Sequence, residues 1–96
     1  MMATQFYVYM MASFKGVLYV GMTRDIQARV EQHKSGIVKG FSSYRTNKLA
    51  GCELAESFET ARDREAQIKR WRRSKKAMLI EAANPYWSDL SDQLFG

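Results

Sequence analysis

One cysteine, one proline and one histidine in 96 residues exclude several kinds of protein. With Cys52 alone there is no internal disulfide and no cysteine-built metal cluster, and the thiol reads as a small buried side chain. With His33 as the single histidine, no serine, cysteine or aspartate triad competes for a catalytic role. Long apolar runs are missing too. The longest, Phe6 to Ala12, is far too short to cross a bilayer, and the first residues lack a basic stretch followed by an apolar signal segment. The expectation is a soluble, cytoplasmic protein. Acidic residues are outnumbered, 10 against 15 lysines and arginines for a formal charge of +5, which favours a polyanionic partner, although charge alone does not tell nucleic acid from a membrane surface or simple solubility. The chain is one domain over 1–96, with no repeat, linker or low-complexity segment. It can bury one modest core, so any active site must be built on that core.

What is present begins with two short runs of β-branched and aromatic residues, 6 to 11 (Phe-Tyr-Val-Tyr-Met-Met) and 17 to 22 (Val-Leu-Tyr-Val-Gly-Met). The turn formers of Ala12-Ser13-Phe14-Lys15-Gly16 separate them, and together they predict a β-hairpin. If Met11 pairs with Val17, Tyr9 lies opposite Tyr19 and Tyr7 opposite Gly21, all on one face. Such an aromatic pair is also ordinary sheet packing, so other groups must converge on that face before it reads as a site.

Thr23 or Asp25 can cap a helix over Ile26 to Ser35, with Gly36 placed to end it. At helical spacing Ile26, Arg29, Val30 and His33 share one stripe. Residues 36 to 48 form a polar loop in which Lys39, Arg45 and Lys48 alternate with Phe41 and Tyr44, suited to a nucleic-acid backbone and to stacking on a base, or simply to a pinned surface loop. A third strand is expected over Leu49 to Leu54. Thr60 then caps a helix over Ala61 to Arg73, and Ser74 opens another over Lys75 to Ala83, ending before Asn84-Pro85. Lysine and arginine crowd the stretch from Arg62 to Lys76. Lys69, Arg70, Arg72, Arg73, Lys75 and Lys76 make this helix pair either a phosphate-tracking surface or a solvated face.

One carboxylate falls in an unexpected place. Ala61, Glu65 and Ile68 lie one above the other, so Glu65 is expected near the middle of the face that meets the core. A buried charge needs a partner. Either Arg29 provides a structural ion pair, or Glu65 holds a hard divalent cation such as Mg²⁺ together with water and phosphate oxygens. The inward polar set is therefore Tyr9, Tyr19, Arg29, His33 and Glu65. It contains what phosphodiester hydrolysis requires: a base for water, a cation for the pentacovalent phosphate, and a proton source for the leaving alkoxide.

In order and spacing these residues resemble the GIY-YIG nuclease superfamily, most closely its small stand-alone bacterial members related to the nuclease module of the excision-repair endonuclease. Tyr7-Val8-Tyr9 stands at the first motif and Tyr19-Val20-Gly21 at the second. Arg29 and His33 follow on a helix, and Arg64-Glu65 begins the helix that carries the family's metal-binding glutamate. Asn84 resembles an asparagine near the end of several members. The resemblance implies an α/β (α+β) fold with a central three-stranded antiparallel sheet flanked by helices, and metal-dependent cleavage of nucleic acid, DNA rather than RNA, in repair or recombination. It implies Tyr19 as the favoured general base with Tyr9 or His33 assisting, Arg29 on the scissile phosphate, Glu65 on Mg²⁺ or Mn²⁺, and Asn84 as a further catalytic group. Two positions depart from the pattern. Tyr7 replaces the glycine that names the first motif, and Met22 stands where some members carry lysine, which shifts weight onto His33. Two other readings remain: a non-catalytic nucleic-acid-binding module on the same scaffold, and a protein-interaction domain anchored by Trp71, Tyr86 and Trp87.

Overall fold

The computed structural model describes residues 5–13, 16–35 and 46–95. Residues 36–45 of the expected polar loop, with Gly36, Lys39 and Arg45, lie outside the described residues, and its last three, 46–48, belong to a strand rather than a loop. The elements run β1 (Phe6–Ser13), β2 (Leu18–Thr23), α1 (Ile26–Ser35), β3 (Thr46–Ala55), α2 (Phe58–Lys69), α3 (Arg73–Ala83) and α4 (Ser91–Phe95). The three strands form one antiparallel sheet in the order β2-β1-β3.

The hairpin forms in a different register from the expected one. Tyr9 lies opposite Gly21, Met11 opposite Tyr19 and Tyr7 opposite Thr23. The turn is shorter than the sequence suggested, because Ser13 N donates to Val17 O at 2.9 Å and Val17 N returns to Ser13 Oγ at 2.9 Å. Gly16 closes it at φ 87°, a conformation that glycine adopts without steric cost. The resulting shift is two residues. An even shift leaves every side chain on its expected face, whereas a shift of one would have turned both tyrosines over.

Alternation along the strands makes two faces. Val8, Met10, Ala12, Val20 and Ala50 pack on one side with Ala61 and Ile68 of α2 and Ile80 of α3. Tyr9, Met11 and Leu49 pack on the other with Ile26 and Val30 of α1. The third strand is longer than expected. It also bulges at Ala50, since Met10 pairs with Gly51 but Met11 with Leu49; the small side chain of Ala50 and the absence of one at Gly51 accommodate this irregularity.

The helix boundaries differ as well. Ser57, not Thr60, caps α2, its Oγ accepting from Thr60 N at 3.1 Å, so the helix starts three residues early. It ends at Lys69, where a tight turn brings Trp71 back against the core. Helix α3 begins at Arg73 after Arg72, which makes no side-chain cap bond, so Ser74 lies inside its first turn. The chain after α3 returns to the bulge: Leu90 N donates to Leu49 O at 2.8 Å, and Asp89 Oδ1 accepts from Leu49 N at 3.1 Å. It then forms α4.

Candidate active site

Helix α1 is set by Asp25, whose Oδ1 accepts from Ala28 N at 3.1 Å. This cap fixes which side chains face the sheet. Ile26, Val30 and His33 are buried, and Arg29 is half-buried one turn before His33. His33, only 3% exposed, enters the space above the hairpin. Its Nε2 lies 3.2 Å from Tyr9 Oη in a hydrogen bond whose direction depends on the imidazole tautomer. The rings of Tyr9 and Tyr19 are 5.9 Å apart, Tyr9 and His33 5.6 Å, and Tyr19 and His33 4.5 Å. The three therefore form one contact cluster.

Gly21 makes this convergence possible. A Cβ there would stand 2.7 Å from Tyr9 Oη and 2.8 Å from Tyr19 Cε1, so the two phenols occupy the room that a side chain would take. The second motif's glycine was legible in the sequence. Its purpose was not, because the expected register set Tyr7 rather than Tyr9 across from it.

Burial sets the protonation of the cluster. Desolvation first, then the charge and hydrogen bond of Tyr19, push the Tyr9 phenol far above its ordinary value, and the charge of Glu65 adds to this while Arg29 opposes it. Tyr9 thus keeps its proton and is excluded as a phenolate base. Desolvation, followed by the Arg29 charge, lowers His33 from 6.5 to about 4. At neutral pH the imidazole is uncharged. It is available as a proton acceptor beside the two phenols.

Glu65 is not at the middle of the core face of α2. Ala61 and Ile68 hold that line, both fully buried. Glu65 flanks it with its side chain 20% exposed, and its ion-pair partner is Lys69 at 3.6 Å on the same helix. Arg29 is not that partner; among the described residues it makes no ion pair within 4 Å. Arg64, on the other flank, is committed to Glu53 through two bonds of 2.8 and 3.0 Å. Helix α2 packs on β2 and β1, and from there the Glu65 charge reaches Tyr9.

Asn84 does something other than the expected chemistry. Its Nδ2 donates to Ala50 O at 3.1 Å and Ser88 O at 2.8 Å, and its Oδ1 accepts from Ser88 N at 3.0 Å. With its amide so occupied in clamping the C-terminal segment to the bulge, it is not brought into the tyrosine cluster. The basic helix pair also stands apart, because α2 and α3 pack on the opposite face of the sheet. There Arg73 donates to Gly16 O at 2.8 and 3.1 Å and Lys75 lies 4.4 Å over the Trp71 ring. Arg70 and Arg72 are exposed, and Lys76 is half-buried.

Among the described residues no group of three or more histidine, cysteine or carboxylate side chains could hold a metal ion. A single carboxylate fits an ion that keeps most of its water, as Mg²⁺ does. No helix among them is long and apolar enough to cross a membrane.

Several known proteins are similar to this chain. A family described as the GIY-YIG catalytic domain matches residues 5–78. The UPF0213 protein of Syntrophus aciditrophicus is 38% identical over 77 residues, covering 78% of this chain and 88% of that one. The UPF0213 protein of Bacillus pumilus is 36% identical over 78 residues, covering 78% of each. The solution NMR structure of the UPF0213 protein of Bacillus halodurans superposes with a TM-score of 0.57 at 26% identity, covering 91% of this chain and 94% of that one. It has the same arrangement of a three-stranded antiparallel sheet with helices.

Proposed function

Because the chain belongs to the GIY-YIG catalytic domain family, a family of nucleases, we propose that it is a divalent-metal-dependent endonuclease that hydrolyses phosphodiester bonds in DNA during repair or recombination. The observation that carries this reading is the convergence of Tyr9, Tyr19 and His33 over Gly21 with Arg29 alongside. Tyr19 is the phenol less deeply buried, and it takes the proton of the attacking water. Tyr9, held neutral, packs against it without adding charge, and the uncharged His33 imidazole is there to accept the Tyr19 phenol proton as Tyr19 takes one from water. Arg29 faces the scissile phosphate and offsets the charge that builds on it. Glu65 is the residue that would hold Mg²⁺ or Mn²⁺. Such an ion, when bound, supplies charge neutralisation at the phosphate and lowers the pKa of bound water.

The test is cleavage of labelled linear, flapped and branched DNA and RNA with Mg²⁺ or Mn²⁺, wild type beside Glu65→Ala. Loss of cleavage in the variant with the fold intact is expected, and equal cleavage by the two pure proteins overturns the mechanism. A second reading, a binding module without turnover, is favoured by the separation of the basic helices from the tyrosine face. It predicts salt-sensitive binding that survives Tyr19→Phe and Glu65→Ala and weakens when Arg70 and Arg72 are neutralised.

A further inference from the structure

The tyrosine cluster fills only part of its face of the sheet. Tyr9 leans toward β2, with its hydroxyl over Gly21, and on its other side Cys52 stands directly opposite it on β3. A cysteine side chain is short and leaves space above it. A hollow of about 320 Å³ opens there, lined by Tyr7, Cys52, Leu54, Leu90, Gln93 and Leu94. Leu54 and Leu94 are 61% and 56% exposed, which leaves apolar walls facing solvent.

We propose that this hollow receives one unpaired nucleobase of the strand whose phosphate lies at Tyr19 and Arg29, an inference that rests on the nuclease reading above. Continuity with the cluster is the first argument. Tyr7 and Cys52 pack against the same buried set as Tyr9 and Tyr19, so a strand held at the tyrosines has the hollow directly beside it. The lining is the second argument. The Tyr7 ring and the leucines offer apolar surface to the faces of a base, and the Gln93 amide offers both a donor and an acceptor to its edge. The size lies at the small end of the roughly 300–1,000 Å³ typical of ligand sites, enough for a base and too small for a duplex end. Burial also raises the Cys52 thiol to about 11, so it stays neutral and the floor stays apolar. A base inside a duplex cannot enter such a pocket without leaving its stack. The aromatic wall departs from the motif pattern, since Tyr7 occupies the position of the first motif's glycine.

The experiment scans an abasic nucleotide, one position at a time, through the cleavage site of a single-stranded substrate. One position should slow wild-type cleavage about tenfold, within the range that base stacking on an aromatic supplies. Leu54→Trp, which fills the hollow from an exposed position, should slow the intact substrate by a similar factor and make the scan flat. Gln93→Ala should weaken the dependence without removing it. A flat scan in a cleaving wild type overturns the hollow and leaves the nuclease reading standing. A parallel titration of wild type with a thymidine pentanucleotide should shift the backbone amides of Tyr7, Leu54 and Gln93 in NMR spectra, and Leu54→Trp should abolish those shifts. If these shifts appear while no substrate is cut, the base site stands and the nuclease reading fails. Shifts confined to α2 and α3, or none, overturn the base site.

Discussion

The two faces of the sheet are built from the same three strands and differ in almost every physical respect. Beneath α2 and α3 the buried side chains are aliphatic, and polar groups such as the Arg64–Glu53 pair stay at the rim. Beneath α1 the buried set includes Tyr9 and His33, two groups with protons to give or take, pressed together where water is excluded. Burying polar groups is favourable only when they are hydrogen-bonded, and among the described residues no buried side-chain nitrogen or oxygen lacks a partner. One face is therefore expected to supply stability and the other most of the chemistry, each carried by alternate residues of single strands, with Glu65 alone contributing to the chemistry from the flank of α2.

The largest expected effect falls on the tyrosine face. Tyr19→Phe should lower cleavage by a factor of about 10²–10⁴, the range for losing a general base, while thermal unfolding moves little because the ring remains. The aliphatic face should respond the other way. Ile68→Ala, a truncation at a fully buried position, should cost about 2–5 kcal/mol in denaturant unfolding, with the rate per folded molecule unchanged. If Ile68→Ala instead abolished cleavage in folded protein, the division between the faces would be wrong.

Much of this contrast was legible in the sequence because it depends on parity. Alternation put Tyr9, Tyr19 and Gly21 on one face whatever the turn length, provided the register error was even. Helical spacing likewise put Arg29 and His33 on the inner side of α1, within a span that the Asp25 cap fixes. What failed to be legible depends on contacts distant in sequence. The tight turn at Gly16, the bulge at Ala50 and the return of the C-terminal segment are decided by packing, and no local pattern announces them. Asn84 looked like chemistry because its motif neighbourhood suggested it, yet three backbone atoms of Ala50 and Ser88 take up its amide. Glu65 looked central because a helical wheel cannot say which of two flanks will meet a β-strand.

The next effect is smaller and uses pH. His33 titrates near 6.5 when unfolded and about 4 when folded, so the unfolded chain binds more protons between these values. Its contribution is fully present above pH 6.5 and is lost as pH falls toward 4, amounting to roughly 3 kcal/mol. His33→Gln should flatten this part of the profile of urea midpoint against pH. A variant that keeps the full wild-type slope between pH 6.5 and 4 would assign that slope to other groups and loosen the link between burial and neutrality in the cluster.

The smallest effect comes from the seam that joins α1, β3 and the C-terminal segment. Asp89 Oδ2 accepts from Lys34 Nζ at 2.7 Å, and its Oδ1 accepts from Leu49 N, Ser91 N and Ser91 Oγ. Burial alone would raise this carboxyl, but the hydrogen bonds from Lys34, Ser91 and Leu49 outweigh it and bring it from 3.8 to about 2. A depressed carboxylate stabilises the fold above its unfolded value, so this contribution is complete above pH 3.8 and disappears as pH falls through 2. Its size is about 2 kcal/mol. Asp89→Asn should therefore lower the urea midpoint at pH 7 and converge on wild type near pH 2. Because the seam anchors the bulge that ends beside Cys52, the same variant should loosen the β3 side of the tyrosine face before it affects the aliphatic one. Amide hydrogen exchange would register this as faster exchange at Leu49 and Leu90 with Val20 and Ile80 unchanged, and equal acceleration on both faces would mean that the sheet opens as one unit.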